Sequence, residues 1–187
     1  MQIIVIGGDE KARARAYKAV ASAVPDAAVT AYAGQTEARD ALEKGQDGKL
    51  AVRCFGYFDV FYGGEPLIFT RAKTKELLAY LVDRAGASCT SGEIELALWE
   101  DAGTVKDPKL YLRVLTNDLR AVLASIKMED VLIRGRNQWA VRRSLLDCDY
   151  YRLLDGEAEL DDVFEGEYMK QYTWAEETAA RLEFRGI

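Results

Sequence analysis

The chain has 187 residues, 49% of them apolar and 30% charged, with a net charge of −6. That balance gives a globular chain with one good core or two small ones, and no apolar run approaches the ~18 residues a bilayer span needs. Histidine is absent and the three cysteines, Cys54, Cys89 and Cys148, lie far apart. This removes Ser-His-Asp hydrolysis, His-ligated zinc, a CxxC metal site and a disulfide framework together. The opening MQIIVIGGDE lacks the basic-then-apolar order of a signal peptide. A cytoplasmic chain is expected, with no membrane anchor, cofactor, metal or catalytic residue.

Charge is unevenly spread. Residues 1–48 carry 6 Lys/Arg against 7 Asp/Glu, residues 49–143 carry 15 against 12, and residues 144–187 carry 4 against 12. A basic middle and a strongly acidic tail predict segments with different partners.

Gln2 to Ile6 is a short apolar run, followed by Gly7-Gly8-Asp9-Glu10 and a helical stretch from Lys11 to Ala23. Pro25-Asp26 breaks that helix, Ala28–Ala33 reads as a second strand, and Thr36 caps a helix to Lys44. This βαβα order resembles the opening of a response-regulator receiver domain. In that family acidic residues after the first strand hold a metal ion, and the third strand ends in the phosphorylated aspartate. Here Asp9 and Glu10 are the only acids at the first place, and residues 1–48 offer no third strand. The segment is read as a truncated receiver remnant that takes no phosphate. Two strands and two helices cannot enclose a core, so the segment must dock on the next domain or exchange with a second protomer. A nucleotide loop at Gly7-Gly8 is the rival reading, although the GxGxxG spacing is missing.

Beyond Gly48, Ala51–Gly56, Phe58–Tyr62 and Pro66–Phe69 have strand composition, with Gly63-Gly64 as a hairpin signal. A helix from about Ala72 to Arg84 carries Leu77, Leu78, Leu81 and Val82 on one face, and Gly86 stops it. Thr90-Ser91-Gly92-Glu93 spells a capping box before Ile94, Ala97, Leu98 and a core Trp99. Asp107-Pro108 opens a third helix, whose buried stripe is Leu112, Thr116, Leu119 and Leu123. Arg113, Asn117 and Arg120 share another face at i, i+4, i+7, with Lys106 and Lys109 at its N-terminal end. Arg and Asn can bridge base edges in the major groove, while lysines meet phosphate. Val131–Arg134 and Trp139–Arg142 then flank Gly135-Arg136-Asn137-Gln138, a hairpin with Arg134, Arg136, Arg142 and Arg143 in or beside it.

Three strands, three helices and a basic hairpin match the OmpR/PhoB-type winged helix-turn-helix. More closely, Leu77-Leu78-Ala79-Tyr80-Leu81, Glu93 to Trp99 and Leu119-Arg120-Ala121-Val122-Leu123 resemble the DNA-binding domain of SARP-type transcriptional activators over about residues 50–145. The resemblance implies an α+β fold, made of an N-terminal antiparallel sheet, three helices and a C-terminal wing. It implies a recognition helix over about 107–125 and a wing at 131–142. The expected DNA contacts are Lys106, Lys109, Arg113, Asn117, Arg120, Arg134, Arg136 and Asn137. Leu115 and Asp118 depart from the polar or basic residues usual there, and Asp118 would repel phosphate if it faced DNA.

From Asp147 the pattern turns helical, with Tyr150, Leu153, Leu154, Leu160, Val163 and Phe164, and Thr173-x-x-Glu176 as a second capping box. Residues 146–187 resemble the first piece of the helical bacterial transcriptional activator domain that follows the winged helix in SARP proteins. Tyr150, Tyr151, Tyr168, Tyr172 and Trp174 read as packing. The acids could repel DNA, orient the middle segment, or meet a basic surface on RNA polymerase or on the Lys11–Lys18 helix.

The sequence therefore predicts three parts: a receiver-like 1–48, a winged helix 49–145 and an acidic helical tail 146–187. The expected function is sequence-specific regulation of transcription without control by phosphorylation. Partners are double-stranded DNA, with polymerase and a second copy of the chain as further candidates. The alternative is a winged-helix protein-interaction module that modulates a related regulator without touching DNA.

Overall fold

A computed structural model of the chain describes residues 2–24, 28–33, 48–99, 106–160, 164 and 166–185. Their contacts divide into two units, Met1–Gly48 and Lys49–Ile187. Among the described residues no helix is long and apolar enough to cross a membrane.

In the first unit β1 (Gln2–Ile6) pairs in parallel with β2 (Ala28–Tyr32), from Gln2↔Ala28 to Ile6↔Tyr32. Between them runs α1 (Glu10–Ala23), none of whose residues is buried. The Asp9 carboxylate accepts from the Ala12 amide at 2.7 Å, so this acid caps α1. The Arg13 guanidinium donates to the Gly7 carbonyl at 2.6 Å. The expected break at Pro25-Asp26 and the helix at Thr36–Lys44 lie outside the described residues.

The second unit is mixed α/β around one core. Its first sheet has the order β5-β4-β3-β9, formed by Leu50–Arg53 (β3), Asp59–Tyr62 (β4), Glu65–Pro66 (β5) and Leu146–Cys148 (β9). The strands are shorter than the runs expected at Ala51–Gly56 and Phe58–Tyr62, and of the run expected at Pro66–Phe69 only Pro66 pairs, next to Glu65. The turn at Gly63-Gly64 has φ values of 62° and 87°, a left-handed pair that glycine alone adopts freely. Helix α2 (Ala72–Asp83) places Leu77, Leu78, Leu81 and Val82 fully in the core, as their spacing predicts.

A second, three-stranded sheet has the order β6-β8-β7: Cys89–Thr90 (β6), Leu132–Gly135 (β7) and Gln138–Val141 (β8). Strand β6 feeds directly into α3 (Ser91–Leu98), whose capping box at Thr90 and Glu93 is complete. Trp99 closes α3 and is buried beside the Tyr111 ring at 5.6 Å. Helix α4 (Pro108–Ser125) buries Leu112, Leu115, Thr116, Leu119, Val122 and Leu123.

The tail departs from the sequence expectation at its start. Leu146–Cys148 form a strand, paired in parallel with β3 from Leu50↔Leu146 to Val52↔Cys148, and the helix α5 (Asp149–Leu154) begins only afterwards. The physical reason is alternation: Leu146 and Cys148 point into the core and Asp147 does not. The tail then stays on this core. The Tyr151 hydroxyl donates to the Val82 carbonyl at 2.8 Å, and the Tyr168 hydroxyl to Asp83 Oδ1 at 3.0 Å. The Met169 amide donates to the Cys54 carbonyl at 2.8 Å. The tail aromatics pack on one another: Tyr150 and Tyr168 meet at 5.1 Å and Tyr172 stacks on Trp174 at 5.2 Å. Thr173–Ala175 make a 3-10 turn leading into α6 (Glu176–Arg185).

Candidate nucleic-acid interface

Helix α4 is built to stand apart at its start. The Asp107 carboxylate accepts from the Leu110 amide at 3.0 Å, and Pro108 occupies the first turn where no amide donor is needed. One side of the helix is core, and even its buried Thr116 is satisfied, its hydroxyl donating to the Leu112 carbonyl at 2.8 Å. The adjoining side leaves Lys109, Arg113, Asn117 and Arg120 exposed, with Lys106 exposed just ahead of the helix.

The hairpin β7–β8 turns through Arg136-Asn137, with Gly135 and Gln138 paired across it. Asn137 has a φ of 58°, a conformation Asn tolerates better than other non-glycine residues. Arg134, Arg136 and Asn137 are all exposed, and Trp139 points inward opposite Cys89. Because β8 pairs with β6, and β6 runs straight into α3, the hairpin is tied to the first turn of that helix.

These three elements meet in a cleft of about 450 Å³ lined by Ser91, Lys109, Leu112, Arg113, Arg134, Gly135, Asn137 and Trp139. Four of the eight residues expected from the sequence, Lys109, Arg113, Arg134 and Asn137, therefore come together from α4 and the hairpin. Asn117 and Arg120 lie further along α4 outside the cleft lining, Arg136 sits at the hairpin tip, and Lys106 precedes α4. Ser91 and Trp139 were not expected. Their signals were present: the capping box fixes Ser91 as the first residue of α3, and Trp139 opens the apolar run Trp139–Val141, all of it buried.

The cations of this face are unspent. Among the described residues, none of the eight expected contacts makes a side-chain hydrogen bond or ion pair, whereas other arginines nearby do. Arg142 donates to the Asp130 carbonyl at 3.2 Å. Arg143 pairs with Asp155 at 2.8 Å and covers the Tyr151 ring at 4.6 Å. The sequence had placed both in or beside the hairpin as basic residues; the structure turns them to internal partners.

Leu115 and Asp118, which the sequence set against a groove-facing role, also find their places. Leu115 is 0% exposed; it is core, not a groove-facing substitution. Asp118 accepts hydrogen bonds from Thr70 Oγ1 at 2.9 Å, Arg71 Nη1 at 3.0 Å and Thr74 Oγ1. Partial desolvation pushes its carboxyl up, but the Thr74 and Thr70 hydroxyls and the Arg71 charge outweigh this and hold it below the usual carboxylate value. Asp118 is thus an anchor between α2 and α4, with its charge already met.

One further cluster lies in the core. Cys54 Sγ and Cys148 Sγ stand 3.4 Å apart beside Asp149. The Asp149 carboxylate accepts from the amides of Cys54, Phe55 and Tyr150. Burial, with Cys148 next to it, pushes the Cys54 thiol well above its ordinary value. Such a thiol stays protonated and packs as a small apolar group.

Fold and face together define a mixed α/β unit that presents one basic helix beside a basic hairpin. Its architecture is similar to that of a solved structure, Mycobacterium tuberculosis EmbR in complex with low affinity phosphopeptide, at a TM-score of 0.60 and 16% sequence identity. The likeness covers 73% of this chain and 42% of that one, so the chain spans less than half of that protein's length. No protein-family model matches the chain, and no curated protein does.

Proposed function

We propose that residues 49–145 form a winged helix-turn-helix that binds duplex DNA, in a SARP-type regulator of transcription rather than an enzyme. The observation that carries the reading is the convergence of unpaired Lys109, Arg113, Arg134 and Asn137 from two elements on one cleft. These cations are exposed and the cleft lining holds no acid, so phosphate oxygens could pair with them. The fold shared with EmbR supports the arrangement. Helix α4, over about 107–125, lies in the major groove, where Arg113, Asn117 and Arg120 read base edges. Lys106, Lys109, Arg134 and Arg136 hold phosphates, and Asn137 shapes the wing at 131–142 on backbone or minor groove.

Residues 1–48 act as a receiver-like segment that takes no phosphoryl group, and the acidic residues 146–187 brace the winged helix and face polymerase or a second copy of the chain. Fluorescence anisotropy with random and promoter-derived duplexes, from low to physiological salt, tests the reading. The expected result is an affinity that falls steeply with salt and tightens on some sequences. No binding at low salt would replace it with the protein-interaction module.

A further inference from the structure

The exposed face of α4 is not uniformly polar. Leu110 is 55% exposed and Val114 39% exposed. They are four residues apart, so they form one short apolar step along the helix. Arg113 and Asn117 each lie three residues from one of them, so the step runs along one edge of the cationic face, outside the cleft lining. They take no part in the core side of α4, which is filled by Leu112, Leu115, Leu119 and Leu123. A face that joins free cations to two apolar side chains fits an occupant joining anionic and small apolar groups at the same spacing. The major groove of duplex DNA is such an occupant, because thymine projects its C5-methyl group among base edges flanked by phosphates.

We propose that Leu110 and Val114 contact thymine C5-methyl groups, and so select thymine-containing steps within the bound site. This rests on the DNA-binding reading and adds specificity that the arginines do not supply. Burying one methyl group against Leu110 or Val114 is worth roughly three- to fivefold in affinity.

The test uses the full chain and duplexes selected from a random-sequence library. Each thymine of the selected site is replaced in turn by deoxyuridine, which removes only the methyl group. The expected result is a three- to fivefold loss at one or two positions for the wild type. A Leu110→Ala, Val114→Ala double variant should lose that difference while keeping the salt dependence of binding. Neither side chain belongs to the buried core, so the variant should fold, and circular dichroism would verify it. Equal wild-type affinity for thymine and deoxyuridine duplexes, or a selected site without thymine, overturns the proposal and leaves DNA binding standing. If no duplex is enriched over the starting library, the DNA-binding reading falls and the proposal with it.

Discussion

Two arginine-lined hollows of this unit invite comparison. One, of about 350 Å³, is lined by Arg143 and Arg152 together with Asp147, Asp155 and Glu157. The other, of about 450 Å³, is lined by Lys109, Arg113, Arg134 and Asn137 with no acid at all. In the first, Arg143 pairs with Asp155 and Arg152 with Asp147. In the second every cation is unpaired. Counting arginines would rate the two alike. Following where each guanidinium donates separates a face whose cations meet carboxylates of the fold from a face whose cations are left unpaired.

The comparison can be broken at several points. The largest effect is expected under the free face, at Leu115→Ala. Because Leu115 is fully buried, the change should cost about 2–5 kcal/mol of stability in chemical denaturation. A loss of DNA affinity with unchanged stability would return Leu115 to the surface of α4. Next comes Arg113→Ala, which should cost about 1–3 kcal/mol on a preferred duplex and relax sequence preference. Arg143→Ala should leave binding unchanged. Equal losses on preferred and random DNA would make Arg113 a phosphate contact only.

Asp118→Asn is expected to act through pH. The folded-state carboxyl lies below its unfolded value, so its stabilising share is complete above about pH 4, the ordinary carboxylate range, and is lost as pH falls through the lower folded value. The stability gap between wild type and Asp118→Asn should therefore close on acidification below about pH 4, followed by tryptophan fluorescence. A gap that stays constant to pH 2 would mean that the charge of Asp118 contributes nothing. The smallest effect belongs to the hairpin tip. Asn137→Ala keeps the β-carbon at φ 58° but removes the short polar side chain that makes this conformation tolerable, and should lower stability by about 1 kcal/mol, whereas Asn137→Gly should be near neutral. Equal melting temperatures for the two would remove the turn argument.

Much of this was legible in the sequence because the signals are local. Asp107-Pro108, the period of Leu112 to Leu123 and the Thr90–Glu93 box define α4 and α3 within a few residues, and exposure of the Arg113 face follows from the same period. What escaped was long-range. Strand β9 is three residues whose partner lies 96 positions earlier, at Leu50↔Leu146. Asp118 looked like a misplaced charge because its partners Thr70, Arg71 and Thr74 come from 44 to 48 positions away. The meeting of Cys54 with Cys148 depends on the same unforeseen pairing of β3 with β9. The cleft itself was half foreseen: its cations were chosen from helix and hairpin separately, and only the β6–β8 pairing brings Ser91 and Trp139 to its wall.

The central claim is that the unpaired hairpin arginines Arg134 and Arg136, and not the paired Arg143 and Arg152, meet phosphate. The slope of log affinity against log salt measures this directly, since each lost phosphate contact lowers it by about one. Arg134→Ala with Arg136→Ala should reduce the slope by about two, and Arg143→Ala with Arg152→Ala should leave it as in the wild type. Equal slopes for the two double variants would contradict the account.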